Sequence, residues 1–303
     1  MYRLMLAEKA NYHVTTMSRA LEIDRKGFYK WLKRTGGEDP WEELKEAIMD
    51  IYEASKRRFG ARKVHAKLKS DHGDRFPGVT LYRVQKCMRE LGIQGVCPHA
   101  RKQTTVPSED AKTRPDLVKR DFTSPVPTYK LVGDITYLKT LSGFIYLATV
   151  IDLATRMVVG WSIRDNMRAD LVVEALAMAH SRGYVAEGAI FHSDRGSQYT
   201  SLLFTKYAES ISVRLSVGRT GSSYDNAPAE SFFGTLKNEW FHHESTLDAE
   251  TTKYLAIEFI ESYHDRYRPH ESIDDRVPAE VMQEFFDRFE KALEYDPDDM
   301  LAA

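Results

Sequence analysis

The spacing of apolar residues changes character once along this chain. In VTTMSRALEIDRKGFYKWLKR (14–34), Met17, Ala20 and Leu21 fall at helical spacing, and Phe28, Tyr29, Trp31 and Leu32 cluster again after Glu22-Ile23-Asp24. Recurrence every three or four residues marks one face of an amphipathic helix. The segment therefore predicts two short helices around a turn, with Thr15 or Thr16 capping the first and Asp24 the second. Further helices are predicted over Trp41–Ala54, Ala61–Ser70 and Thr80–Leu91, the last stopped by Gly92. From 95 to 128 the period dissolves: five of the 11 prolines lie there among Lys, Arg, Thr and Ser, as in an extended linker.

Beyond residue 128 the pattern is that of strands. LVGDITYLKT (131–140) and GFIYLATVID (143–152) are apolar, β-branched runs joined as a hairpin, and MVVGWSI (157–163) is a third. A helix over 169–183, a strand over 188–194, a helix over 202–211 and a strand over 213–218 follow, then a turn-rich loop and another helix. Three antiparallel strands followed by helix, strand, helix, strand and helix is the element order of the ribonuclease H-like α/β fold, an analogy of order alone. The chain divides into a helix-turn-helix-like segment (1–38), a second helical domain (39–94), the linker (95–128), the α/β core (129–270) and a C-terminal segment with an acidic tail (271–303).

Charge sharpens this division. The net charge is −2, yet residues 1–120 hold 26 Lys and Arg against 16 Asp and Glu, a charge of +10. Residues 121–270 carry −4 and residues 271–303 carry −8. So lopsided a split points to a polyanionic partner for the front third. Arg25, Lys26 and Lys30 decorate the second helix, and Arg57, Arg58, Arg62 and Lys63 the second helical domain, so these seven are the candidate DNA contacts. Cys87 and Cys97 are too few for a disulfide framework, which suits a reducing, cytosolic setting. No apolar run approaches the length of a membrane span, and no secretory leader is evident.

Three acids stand out by position. Asp134 lies inside a strand amid Leu131, Val132 and Ile135, where a charge is costly unless it is paired or bound to a metal. Asp194 ends the fourth strand in FHSDRGSQYT, at the strand terminus where α/β ligand sites form. Glu230 opens the helix of SYDNAPAESFFGTLKNEW, with Asn226 as its expected N-cap and Pro228 in the first turn. If the first and fourth strands are neighbours and this helix packs beside them, the three converge. Hard oxygen donors suit Mg²⁺ or Mn²⁺, and two such ions can serve in-line phosphodiester displacement. Asp152 and Asp225 read as structural acids, and Glu239 falls on the opposite face of the helix from Glu230. Lys237 returns to the Glu230 face, His192 shares a strand side with Asp194, and Phe232 and Phe233 read as core.

These motifs carry a resemblance. Thirty-five residues separate Asp194 from Glu230, and GDITYL (133–138), HSDRGSQYTS (192–201) and YDNAPAESFFGTLKNE (224–239) resemble the two-frame insertion-sequence transposases of the retroviral-integrase superfamily. ARKVHAKL, LYRVQKCMRELGI and YHDRYRPHESIDDRVP (263–278) look like that family's helical DNA-binding region and C-terminal segment. The resemblance implies a metal-dependent DDE transposase with an integrase catalytic core. Asp134, Asp194 and Glu230 would be its metal-binding catalytic triad for two Mg²⁺ ions, with Mn²⁺ as substitute, and Lys237 would contact DNA. His192 and Asn226, by their own positions beside the acids, are candidates to support the triad, His192 being equally readable as a packed histidine. It also implies double-stranded DNA partners (terminal inverted repeats and target), a homo-oligomeric synaptic complex, a first-frame partner or fusion, and a bacterial, nucleoid-associated setting. Leu131 stands where relatives often carry Trp, and the N-terminal zinc-binding motif of retroviral integrases is absent. Two other readings stay open: a non-catalytic DNA-binding regulator derived from a transposase, and a ribonuclease H-like nuclease or resolvase.

Overall fold

A computed structural model describes residues 1–35, 39–96, 114–218, 226–244 and 246–294. Two compact units are present, Met1–Gly95 and Val96–Ala303.

The first unit is helical. Helices α1 (Tyr2–Ala7), α2 (Val14–Ala20) and α3 (Arg25–Thr35) bury Met5, Met17 and Phe28, with Tyr2 and Trp31 packed around Phe28. Asp24 caps α3 as expected, accepting from the backbone N–H groups of Lys26 and Gly27 at 3.1 Å each. The start of α2 differs from expectation: His13 occupies the N-cap position, so Thr15 and Thr16 lie inside or beside the first turn and neither caps it. Helices α4 (Glu42–Ala54), α5 (Ala61–His72) and α6 (Leu81–Leu91) bury Leu44, Ile48, Val64, Leu68, Val84 and Met88. Thr80 accepts from Arg83 N–H at 3.3 Å to open α6, and Gly92, at φ +69°, ends it in a left-handed turn that glycine adopts without strain.

The second unit is a five-stranded sheet in the order β3-β2-β1-β4-β5: β1 (Lys130–Thr140), β2 (Gly143–Asp152), β3 (Val158–Arg164), β4 (Ile190–Ser193) and β5 (Arg214–Val217). The first three strands are antiparallel; β4 pairs parallel with β1, and β5 parallel with β4. Helices α7 (Ala169–Ser181), α8 (Ser197–Thr200) and α9 (Leu202–Ser210) supply Leu171, Val172, Leu176, Tyr199 and Phe204 to a core with Leu131, Val150 and Phe191. Helices α10 (Ala227–Glu239) and α11 (Ala249–Glu258) pack against β1, and a π-helical turn (Phe259–His264) leads toward α12 (Pro278–Glu294). Three antiparallel strands followed by alternating helices and strands is the arrangement anticipated from element order.

Within the segment read as a linker, residues 97–113 lie outside the described residues, and 114–128 pack on the core. Arg114 donates to Tyr199 O at 2.7 Å, Leu117 N–H to Ser216 Oγ at 2.9 Å, and Pro115 O accepts from Val217 N–H at 3.2 Å. The physical reason is the open edge of β5, whose backbone groups this stretch covers.

Candidate active site

β1 and β4 place two of the acids. The parallel register sets Val132 opposite His192 on strands roughly 4.8 Å apart, and Asp134 and Asp194 each lie two residues farther on. β4 ends at Ser193, which leaves Asp194 at the strand's carboxyl end, where an α/β sheet opens a crevice. Each carboxylate is pinned by backbone: Asp134 Oδ1 accepts from Ile135 N–H at 2.8 Å, and Asp194 Oδ1 from Gly196 N–H at 2.9 Å. Gly133 is required beside them, because a Cβ there would lie 2.2 Å from Phe191 Cζ.

Glu230 sits in the first turn of α10, with proline at the helix start. Asn226 departs from the expected cap. It holds the N-cap position, but its side chain makes no capping bond and instead donates from Nδ2 to Gly133 O at 3.1 Å. The mouth of α10 is thereby tied to the residue preceding Asp134. That role had no signal in the sequence, because it crosses 93 positions.

Electrostatics couples the group. Burial, Asp194 and Glu230 push the Asp134 carboxyl up to about 8, while Ile135 N–H and Lys237 act in the opposite direction. Burial also raises Asp194 against the Gly196 hydrogen bond. The Tyr199 hydroxyl is pushed well up by burial, then by Asp134 and Asp194. Lys237 is lowered by burial, partly offset by Asp134, and its Nζ lies 4.8 Å from the Tyr137 ring centre. Among the described residues, no three His, Cys, Asp or Glu side chains are arranged to hold a metal ion as they lie. The donor set is nevertheless the oxygen-rich kind that suits Mg²⁺ or Mn²⁺. Two buried polar atoms beside the acids, Tyr199 Oη and Asn226 Oδ1, have no hydrogen-bond partner. A hydrated cation between these carboxylates fits that chemistry.

The other candidates fall in several places. His192 is buried and bonds Ser216 Oγ at 2.8 Å across to β5, behind Asp194. Asp152 accepts from the backbone of Thr128, Ala154 and Thr155 and from the Thr155 hydroxyl, a turn-building role. Asp225 lies outside the described residues. Glu239 pairs with Arg268 at 2.9 and 3.0 Å and accepts from Tyr263 Oη at 2.8 Å. Phe232 and Phe233 are buried.

On the first unit, Arg25, Lys26, Lys30, Arg57 and Arg62 are exposed, while Arg58 and Lys63 are half-buried. Arg57 is engaged by Glu53, and Lys63 lies over Phe59. On α6, Tyr82, Gln85, Lys86 and Arg89 are exposed at helical spacing, though none was among the seven candidate DNA contacts. That stripe was discoverable from the i, i+3, i+4, i+7 pattern of its polar positions.

Comparison with known proteins agrees with this architecture. An HTH-like domain matches residues 40–101, and integrase core domains match residues 125–223 and 211–278. Transposase InsF for insertion sequence IS3A of Escherichia coli K12 is 32% identical over 276 residues, 89% of this chain and 93% of that protein. The transposase for insertion sequence element IS629 of Shigella sonnei is 33% identical over 248 residues, 82% of this chain and 81% of that protein. Among solved structures, the HTLV-2 integrase catalytic core domain in complex with magnesium is 15% identical, with TM-score 0.42 over 52% of this chain and 98% of that chain. With an HTH-like domain, an integrase core and likeness to insertion-sequence transposases over most of its length, the chain belongs to the IS3 family of transposases.

Proposed function

We propose that this transposase uses Asp134, Asp194 and Glu230 to cut transposon ends, releasing a 3′-OH, and then to join that 3′-OH to a second phosphodiester. What carries the proposal is the placement of three acids from three elements, Asp134 in β1, Asp194 at the end of β4 and Glu230 in the first turn of α10, whose mouth Asn226 ties to Gly133, with 35 residues between the last two. The three would hold two divalent cations, Mg²⁺ or Mn²⁺, whose Lewis acidity activates the attacking oxygen and stabilises the leaving one. Asp134 and Asp194 are fixed by backbone N–H groups, and Asn226 sets where Glu230 enters. Lys237 meets a phosphate of the DNA beside Asp134. His192 steadies the strand end through Ser216. The substrates are double-stranded terminal inverted repeats and target DNA, bound by a synaptic multimer in the bacterial cytoplasm. Among the described residues, no helix is long and apolar enough to cross a membrane.

Two expected results follow from this assignment. In the metal-free protein the folded state holds a proton on Asp134 that the unfolded chain has released between pH ~4 and about 8, so stability falls as pH rises through that window. A cation must displace that proton, so the thermal stabilisation given by Mg²⁺ grows between pH 6 and pH 8.5. Differential scanning fluorimetry at fixed Mg²⁺ reads this, and a gain that is flat or shrinks with pH contradicts it.

The second concerns DNA grip by the basic helices. If the first unit neutralises six to ten phosphates, duplex affinity falls ~10³–10⁵-fold between 50 and 200 mM salt. Fluorescence anisotropy with a labelled duplex measures the slope, and a flat salt response excludes a phosphate-dominated interface. Joined products separate a transposase from a nuclease, which cuts and stops.

A further inference from the structure

Solvent meets an aromatic cluster at the outer end of the β1–β2 hairpin. Tyr137 and Phe144 are each 49% exposed, and their ring centres lie 5.5 Å apart at 89°, edge to face. Cations flank the pair. Lys237 Nζ lies over the Tyr137 ring, and Lys139, itself exposed, is the cross-strand partner of Phe144. Single exposed apolar side chains are ordinary on a protein surface. Two rings in contact, flanked by lysines, are a composite surface, and Lys237 links it to the carboxylates, lying over Tyr137 and close enough to act on Asp134.

We propose that Tyr137 and Phe144 form a stacking platform for an unpaired nucleobase next to the phosphodiester under attack. The proposal rests on the reading of the carboxylates as a DNA-processing site and names what that site takes. Only a nucleotide offers a flat π-face and an anion one sugar apart, matching a ring pair with lysines at its margin. Bases inside a duplex are already stacked, so the platform selects an end whose terminal base has left its partner. Unpairing is costly, and least so at a frayed or single-stranded end. Stacking on an aromatic side chain offsets a comparable amount and tolerates any base. The platform would therefore hold a DNA end open beside Asp134, giving the site access to the strand it cuts.

The test uses the full chain without divalent cations, so that binding is read apart from chemistry. Two fluorescein-labelled duplexes of the same arbitrary sequence are compared, one blunt and one with a three-nucleotide single-stranded tail containing 2-aminopurine. The wild type is expected to bind the tailed duplex tighter by about 5- to 150-fold, the range that stacking of one base gives, and to quench the 2-aminopurine. Tyr137→Leu and Phe144→Leu keep apolar bulk on half-exposed strand positions but remove a ring. Each should lose most of the preference and the quenching while binding the blunt duplex like wild type. Tyr137→Phe should keep both. Equal affinity for the two duplexes, or a preference unchanged in the leucine variants, would overturn the platform alone. Binding of neither duplex would overturn the DNA-processing reading as well. A leucine variant that lowers the oligomeric state in sedimentation but keeps the tail preference would reassign the face to a second copy of the chain.

Discussion

Asp134→Asn is expected to abolish end cleavage and strand transfer while raising the melting temperature of the metal-free protein. Both effects have one cause. The Asp134 carboxyl is desolvated and faces Asp194 and Glu230, so its ionised form is disfavoured and its pKa is pushed up to about 8. Asparagine keeps the shape and an acceptor for Ile135 N–H but removes the ionisable group, so folding no longer has to take up a proton that the unfolded chain has released. It also removes an anionic oxygen donor on which cation binding depends. The loss in rate should be no smaller than the ~10²–10³-fold that one missing oxyanion donor costs elsewhere. Stability gained by deleting a functional group is the usual mark of a strained site. The same variant should show no Mg²⁺-dependent rise in melting temperature. Measured together, an inactive but less stable Asp134→Asn would make the residue a structural acid.

Arg268→Ala is expected to destabilise the second unit by about 3–5 kcal/mol, because it leaves the Glu239 carboxylate buried without its cation. Glu239 and Arg268 side chains are only 11% and 12% exposed, and their contact is bidentate. They lie between the far end of α10 and the segment after α11, so the pair fixes one end of the helix that carries Glu230. Asn226 fixes the other. Urea unfolding followed by tryptophan fluorescence reads the loss, and the double variant Arg268→Met, Glu239→Leu should recover much of it, since replacing both partners by apolar groups removes the uncompensated charge. A double variant no better than Arg268→Ala would show that the arginine acts through packing instead.

The sheet was legible because its periodicity is strict. Apolar, β-branched runs over 131–140 and 143–152 can bury a face only as strands, and the structure closes β1 and β2 within one residue of those bounds. Asp134 was legible for the opposite reason, as a charge out of place in an apolar run. What could not be read were contacts that local pattern does not encode. Asn226 had the composition of a cap, yet its amide is oriented so that Nδ2 donates to Gly133 O while Oδ1 accepts no N–H from the helix. Glu239 was correctly placed away from Glu230 by helical geometry, but its partner Arg268 is 29 residues on, beyond any helical rule. Proline-rich residues 114–128 read as linker because they lack a period, and they pack all the same because the β5 edge needs covering. The YHDRYRPH motif (263–270) was placed only by its resemblance to the family's C-terminal segment. In the structure Asp265 accepts from Val158 N–H at 3.0 Å and from His264, which fastens the C-terminal segment to β3.

The central claim, that Glu230 acts with the two aspartates to cut and rejoin DNA, is met most directly by one comparison. Wild type and Glu230→Gln are incubated with Mg²⁺ or Mn²⁺ and labelled duplexes matching the DNA flanks of this reading frame, and the products are resolved by size. Joined products from wild type, and neither cleavage nor joining from a Glu230→Gln protein that still binds the duplex, are the predicted result. Joining that survives the glutamine substitution would place the chemistry somewhere other than this triad.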